Sequence, residues 1–381
     1  MALETLASGF CLLGALAHLV STGLVAWRAA RDRRRPAEPT VRPPVSLLRP
    51  VRGLENHLED ALASSFTLDW PEYEVLFCVK DADDPVVPVV ERLIAAHPHV
   101  PARLLVGDDP ISINPKLNNT VKGWRAARFD HVAMVDSNVL LPPDFLARLL
   151  AAWKPGTGLV CAPPVGARAE NVWAELEVAF LNTYQTRWQL FADFLGTGFA
   201  QGKVMLYRRS ILEPLGGIEA LAVEPAEDAA TTKLLRRAGY RIRLVPRPFE
   251  QALGRRSFRE VWNRQVRWAR LRRDTFPHLY AAEIASGTFL PGLACGLWAW
   301  AAGMPVLPAL GLLLAFWYVA EVAVARSAGW HVGRWSVPAM FLRDLAIPIL
   351  YVQGWIGNGF VWRGNAMSLA EPADGGLADA S

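Results

Sequence analysis

An apolar stretch near the N-terminus restricts the folds that are open to this chain. Residues 6–27 contain only mildly polar interruptions such as His18 and Thr22, and a helix of this length spans the roughly 30 Å of hydrocarbon in a bilayer. A cleaved signal peptide carries positive charge ahead of its apolar core, whereas here the charges follow it, at Arg28, Arg31, Arg33, Arg34 and Arg35. The sequence therefore predicts an uncleaved transmembrane anchor, followed by residues on the cytoplasmic side.

Further apolar stretches lie near the other end of the chain. Residues 284–302 and 304–325 are separated by Gly303 and predict a helical hairpin. Residues 337–362 contain the neighbouring Arg343 and Asp344, so we interpret them as a re-entrant or interfacial element rather than a clean span. Because 20% of all residues are charged, most of the chain must still lie in water. We expect a multi-pass integral membrane protein, of the inner membrane if the source is bacterial, with its catalytic domain on the cytoplasmic face.

The region between these stretches alternates β-branched runs with helical apolar spacing. Strands are predicted at 45–48, 73–79, 102–106 and 131–135, and helices at 55–65, 86–96, 117–127 and 142–153. This alternation is typical of an α/β domain with a doubly wound, mostly parallel sheet. The predicted divisions are an anchor (1–28), a basic proline-rich linker (29–44), the α/β domain (45–276), transmembrane or interfacial helices (277–365) and a flexible tail (366–381).

Several other kinds of site are excluded by residue spacing. The cysteines lie far apart with no CxxC pair, which argues against a disulfide framework and a cysteine-based zinc site. Residues 196–203 (GTGFAQGK) lack the spacing of a P-loop and the third glycine of a dinucleotide-binding loop. A net charge of +4 selects no partner by itself, and we expect no nucleic-acid partner.

Acidic residues follow two of the predicted strands, and another pair begins a later helix. Asp81 and Asp84 come after the second strand and Asp136 after the fourth, at the strand ends where such sheets bind ligands. Glu227 and Asp228 begin a helix that stops before Gly239. A lone aspartate at such a position is more often a turn or cap residue, and Glu227 could carry the chemistry in place of Asp228.

Downstream of these acids, a basic aromatic motif consists of Arg264, Arg267 and Trp268. The two arginines are three residues apart and so share one face of a helix. Guanidinium groups bind diphosphates bidentately, and the indole can form an apolar floor. The alternative is a solvated or headgroup-facing surface, because other arginines surround the motif.

At these residues the chain resembles the ceramide glucosyltransferase family, the inverting nucleotide-sugar transferases of the GT-A fold in glycosyltransferase family 21, similar to family 2. The family shows three spaced aspartates and a (Q/R)xxRW motif, matched here by Asp84, Asp136, Asp228 and Arg264-x-x-Arg267-Trp268. Further matches are residues 114–119 (NPKLNN), 202–209, 216–217, 226–228 (AED) and Trp362-Arg363-Gly364. The resemblance covers nearly the whole chain.

The resemblance implies transfer of a hexose, with glucose favoured over galactose, from a UDP-sugar to a membrane-lipid hydroxyl with inversion. Asp228 would be the base and Asp136 the ligand of Mg²⁺ or Mn²⁺, although the Asp136-Ser-Asn138 sequence lacks the second carboxylate of a full DxD motif. The residues implied in binding UDP-glucose or UDP-galactose are Asp81, Asp84, Lys116, Arg264, Arg267 and Trp268.

Several alternatives remain open at this stage. The acceptor is expected to be ceramide, and the alternatives are diacylglycerol, to which several sugars could be added, and a hopanoid-type lipid. A processive polysaccharide synthase shares the aspartates and the xxRW motif but needs more spans. A non-catalytic membrane scaffold is disfavoured because Asp136, Asp228 and Arg267 are all present.

Overall fold

The structure is a computed structural model that describes residues 2–34, 38–362 and 365–368. Three features predicted from the sequence lie outside these residues. They are Arg35 at the end of the basic run, Arg363 and Gly364 of the closing motif, and residues 369–381 of the tail.

Helices and strands alternate along the first part of the described chain, and helices dominate its last third. The helices are α1 (Ala2–Arg34), α2 (Leu58–Ala63), α3 (Val87–Ala96), α4 (Pro115–Ala126), α5 (Phe145–Ala151), α6 (Val172–Ala179), α7 (Arg187–Phe194), α8 (Arg209–Leu212), α9 (Glu227–Arg237), α10 (Phe258–Thr275), α11 (Pro277–Glu283), α12 (Phe289–Ala301), α13 (Val306–Ala328) and α14 (Ser336–Trp355). The strands are β1 (Val45–Pro50), β2 (Tyr73–Val79), β3 (Ala102–Val106), β4 (His131–Val135), β5 (Thr157–Ala162), β6 (Val165–Ala169), β7 (Val204–Arg208), β8 (Arg241–Leu244), β9 (Glu250–Gly254), β10 (Gly359–Trp362) and β11 (Asn365–Ser368).

The chain divides into two compact units. The first, here called the sheet unit, comprises Arg35–Val165 and Ala192–Gly254, and the second, the helical unit, comprises Met1–Arg34, Gly166–Phe191 and Arg255–Ser368. The domain boundaries predicted from the sequence remain a prediction.

A seven-stranded sheet in the order β3-β2-β1-β4-β7-β5-β8 is built from the described residues of the sheet unit. β1 pairs in parallel with β2 and β4, and β2 with β3. Strands β1, β2 and β5 are buried along their whole length, as expected for a sheet covered by helices on both faces. The predicted α/β architecture with a mostly parallel sheet is confirmed.

The sequence did not reveal that β7 runs antiparallel between β4 and β5. Its register pairs Val204 with Val135, so the residues just outside these strands, Lys203 and Asp136, are neighbours. The first-strand and fourth-strand predictions hold, but the helix predicted at 142–153 is shorter, because Pro142 and Pro143 delay the start of α5 to Phe145.

The helical unit contains the long apolar helices. Among the described residues, Leu3–Arg34 and Val306–Ala328 are long and apolar enough to cross a membrane. The segments Pro277–Ser286 and Phe289–Ala301 meet at 49° and add a third span if they act as one. Of the predicted stretch 337–362, the part up to Trp355 belongs to the continuous helix α14, which contains Pro348. Its last residues form β10 of the β10–β11 hairpin.

A seven-residue π-helix, Phe180–Thr186, lies between α6 and α7. Its side chains are buried, and its Phe180 and Tyr184 pack in one apolar cluster with Val261 of α10 and Ile347 of α14. Because π-helical segments are rare and frequently occur at functional sites, this part of the helical unit is of functional interest.

Candidate active site

The acidic residues after β2 and β4 lie at one edge of the sheet, because both strands run parallel to β1. Asp81 is exposed in the loop after β2. Asp84 is half-buried and accepts hydrogen bonds from the backbone of Gly53 (2.8 Å) and Val86 (2.9 Å). Its carboxylate therefore fastens the loop after β1 to the start of α3, and a contact of Asp84 with the nucleotide remains a prediction.

Asp136 is held between two lysines. Its carboxylate oxygens lie 2.7 Å from the Lys116 ammonium and 2.8 Å from that of Lys203, and its backbone N–H donates to the Lys203 carbonyl (3.0 Å). Burial raises the pKa of Asp136, but the two ammonium groups outweigh this effect and hold the pKa well below its usual range. Asp136 is therefore ionised throughout the physiological range.

Lys116 connects Asp136 to the acidic pair at the start of α9. Its ammonium lies 2.8 Å from Glu227 and donates to the carbonyl of Gly202. Asn114, which caps α4, donates to the second oxygen of Glu227 at 2.6 Å. Burial lowers the pKa of Lys116, but Asp136 and Glu227 raise it above its ordinary value. The ammonium therefore remains charged in its buried position.

Asp228 differs from its neighbour Glu227 because no lysine ion-pairs with it among the described residues. Its two oxygens accept the backbone N–H groups of Gly202 (2.9 Å) and Ala229 (2.8 Å). Burial and the adjacent Glu227 raise the pKa of Asp228 to about 6, although Lys116 opposes the shift. Asp228 is thus ionised at neutral pH but more basic than an ordinary aspartate, which suits a general base.

Close packing around Gly202 leaves little room for a side chain at this position. A Cβ at this position would lie 3.1 Å from Glu227 and 3.3 Å from Asp228. The sequence placed residues 202–209 in a matching motif but gave no role to Gly202 or Lys203, whose positions depend on the antiparallel β7. Asn114 was likewise only part of a motif, and its cap position before Pro115 is the signal that could have singled it out.

A divalent cation would find one carboxylate here rather than a complete protein site. No group of three or more His, Cys, Asp or Glu side chains suited to a metal is found in the described part of the chain. Asp136 directly follows β4, and the next residues, Ser137 and Asn138, supply no second carboxylate. Mg²⁺ is often bound by one or two carboxylates together with substrate phosphates. The residues therefore fit an ion that takes Asp136 and draws its other ligands from a diphosphate.

The basic aromatic motif lies on α10 in the helical unit. Arg264 forms an ion pair with Glu177 of α6, which is fully buried and also lies 3.4 Å from Arg256. Arg264, Arg267 and Trp268 are all half-buried. The sequence did not indicate that Glu177 orients Arg264, because the two residues are 87 positions apart.

Comparisons with known proteins agree on one family. A model described as glycosyl transferase family 21 matches residues 13–374. Ceramide glucosyltransferase 1 of Caenorhabditis elegans is 29% identical over 343 residues, covering 87% of this chain and 73% of the relative. Ceramide glucosyltransferase 3 of that species is 26% identical over 370 residues, covering 95% and 79%.

Similarity extends to solved structures. A mannosyltransferase from Pyrobaculum calidifontis, solved with GDP-Man and Mn²⁺, aligns over 90% of this chain and 99% of its own, with 21% identity and a TM-score of 0.48. A glucosyl-3-phosphoglycerate synthase from Mycobacterium tuberculosis aligns over 69% of this chain and 81% of its own, with 16% identity and a TM-score of 0.37.

Proposed function

The chain belongs to glycosyl transferase family 21, and we propose that it transfers glucose from UDP-glucose to the primary hydroxyl of ceramide, with inversion at the anomeric carbon. The family match and the mostly parallel sheet confirm the GT-A glycosyltransferase fold and the family resemblance seen in the motifs. The names of the similar relatives support ceramide over a diacylglycerol or hopanoid-type acceptor.

One observation carries the proposed chemistry: two adjacent carboxylates have different surroundings. Glu227 is neutralised by Lys116 and held by Asn114, whereas Asp228 accepts only backbone hydrogen bonds among those described and has a raised pKa. A direct displacement needs one base for the acceptor and positive charge for the leaving group. Asp228 supplies the first, and Lys116 with Lys203 supplies the second.

In the proposed mechanism, Asp228 accepts the proton of the acceptor hydroxyl as its oxygen bonds to the anomeric carbon. The bond from that carbon to the diphosphate oxygen breaks, and UDP leaves with the electron pair. Mg²⁺ or Mn²⁺ bound with Asp136 would neutralise the developing charge on the diphosphate. Lys116 and Lys203 would turn from Asp136 to the diphosphate oxygens when the donor binds.

The remaining assignments rest on the family motifs. Arg264, Arg267 and Trp268 are proposed to contact the UDP group, and Asp81 and Asp84 the uridine. UDP-galactose remains the alternative donor, because the choice depends on one or two hydrogen bonds to the sugar C4 hydroxyl. We propose that α1 and the later apolar helices anchor the enzyme in a membrane, with the sheet unit on the cytoplasmic face.

A direct test uses the full-length protein in membranes with radiolabelled UDP-glucose or UDP-galactose and either ceramide or diacylglycerol. We expect label from UDP-glucose in a single ceramide glycolipid, identified by mass spectrometry as the β-linked product. Membranes from the same host without the protein are the control. Transfer to diacylglycerol under conditions that leave ceramide unlabelled would contradict the proposed acceptor.

The raised pKa of Asp228 predicts the pH dependence of the reaction. Only the ionised carboxylate can accept a proton, so kcat/KM should rise about tenfold per pH unit below the pKa of about 6 and level off above it. Initial rates between pH 4.5 and 8 with subsaturating ceramide measure this profile. An acid limb centred near pH 4, the usual range of an aspartate, would show that the base is not a carboxylate with a raised pKa.

A further inference from the structure

A small cavity lies within the helical unit, between α10, α11, α14 and the π-helix. Its volume is about 20 Å³, slightly more than one water molecule requires. Phe180, Ile347 and Leu350 form its apolar wall, and Tyr184, Gln265 and the Arg272–Glu283 pair contribute its polar groups. The cavity can therefore hold one water molecule or one polar atom of a ligand.

Gln265 gives this cavity an unused hydrogen-bond donor. The residue is 2% exposed, and its carbonyl oxygen accepts from Gln185 of the π-helix at 3.0 Å. Its amide nitrogen has no hydrogen-bond partner among the described residues. Because leaving such a group unsatisfied costs about 1–3 kcal/mol, a buried glutamine in this state indicates an acceptor beside it, which is either a ligand atom or an ordered water.

The other polar groups of the cavity are already paired. Arg272 binds Glu283 through two hydrogen bonds of 2.6 and 2.8 Å, and the Tyr184 hydroxyl lies 2.7 Å from that of Ser286. These contacts fix the walls and leave Gln265 as the group that can select a ligand. Gln265 also lies between Arg264 and Arg267 on α10, the residues proposed to contact UDP.

We propose that this cavity receives one oxygen of the polar head of the lipid acceptor, and that the Gln265 amide donates a hydrogen bond to this oxygen. In ceramide that oxygen is either the amide carbonyl oxygen or the C3 hydroxyl oxygen, because both can accept a hydrogen bond. The apolar wall suits the carbon atom that bears this oxygen. The inference rests on the proposed function, because it assumes that the acceptor is an N-acylated lipid.

The test replaces Gln265 by methionine, which keeps the side-chain length but removes both the donor and the oxygen that accepts from Gln185. For Gln265→Met we expect the KM for a short-chain ceramide to rise about tenfold, the effect of one hydrogen bond, while kcat and the KM for UDP-glucose stay within about twofold. Gln353→Met is the matched control, since Gln353 of α14 accepts from Trp262 at 3.0 Å and does not line the cavity. Its KM for ceramide should match that of the wild type.

Two acceptor analogues identify the oxygen, one with a thioamide in place of the amide and one without the C3 hydroxyl. The wild type should lose about tenfold in kcat/KM for one of them, and Gln265→Met should not discriminate against that same analogue. Equal kcat/KM of the wild type for all three acceptors would overturn the inference, even if the variant does not fold, and would leave only a water in the cavity.

The outcomes also separate this inference from the proposed function. A wild-type enzyme that does not glycosylate ceramide would contradict the function itself. A wild-type enzyme that does so, while Gln265→Met keeps an unchanged KM for ceramide or raises the KM for UDP-glucose equally, would contradict only the role of Gln265.

Discussion

Asp228→Asn should lower kcat by about 10²–10⁴-fold, the usual contribution of a general base, while UDP still binds. The amide cannot accept the proton of the acceptor hydroxyl, whereas Lys116 and Asp136 are left in place. The measurement is kcat under saturating ceramide and UDP-glucose, together with the dissociation constant for UDP. Residual activity above about a tenth of the wild type would remove Asp228 as the base.

Glu227→Gln is the matched control because it changes the neighbouring carboxylate in the same way. Lys116 would lose one partner but keep Asp136 at 2.7 Å, so we expect a loss at least tenfold smaller than that of Asp228→Asn. If Glu227→Gln is instead the inactive variant, the role of the base passes to Glu227, the alternative that the sequence left open. Thermal melting of both variants checks that each is folded.

The strands of the sheet unit were predictable because burial on both faces leaves continuous apolar runs, such as 73–79 and 131–135. Local pattern also predicted that α9 begins at Glu227 and stops before Gly239. The position of Lys203 beside Asp136 could not be predicted, because it depends on β7 inserting antiparallel between β4 and β5. Strand order is a long-range property that periodicity does not carry.

The ion-pair partners of Arg264 and Arg343 could not be predicted from local sequence patterns either. Arg264 was singled out as a motif residue, but its partner Glu177 belongs to a distant helix, α6. The neighbours Arg343 and Asp344 were noticed as charges inside an apolar stretch, whereas Glu321 appeared as a single acid in another. Only the packing of α13 against α14 brings these residues together, and it produces the feature with the largest expected effect on stability.

Arg343 and Glu321 form a fully buried ion pair between α14 and α13. Arg343 donates to both oxygens of Glu321 at 2.9 Å and to Asp344 at 2.9 Å. It also donates to Thr183 of the π-helix at 2.8 Å. Removing one partner of a buried pair costs about 3–5 kcal/mol, because the other charge is left uncompensated.

We therefore expect Arg343→Met to destabilise the protein by about 3–5 kcal/mol, which at 2–4 °C per kcal/mol lowers the melting temperature by about 10 °C. Arg326→Met is the control, because Arg326 is an exposed arginine at the end of α13 and should shift the melting temperature by less than about 2 °C. Arg343→Met leaves two buried acids without this partner, Glu321 and Asp344. Adding Glu321→Gln removes one of these two charges and should restore part of the loss. Thermal melting in one detergent measures all three variants, and equal melting of Arg343→Met and the wild type would show that water or lipid headgroups already solvate this cluster.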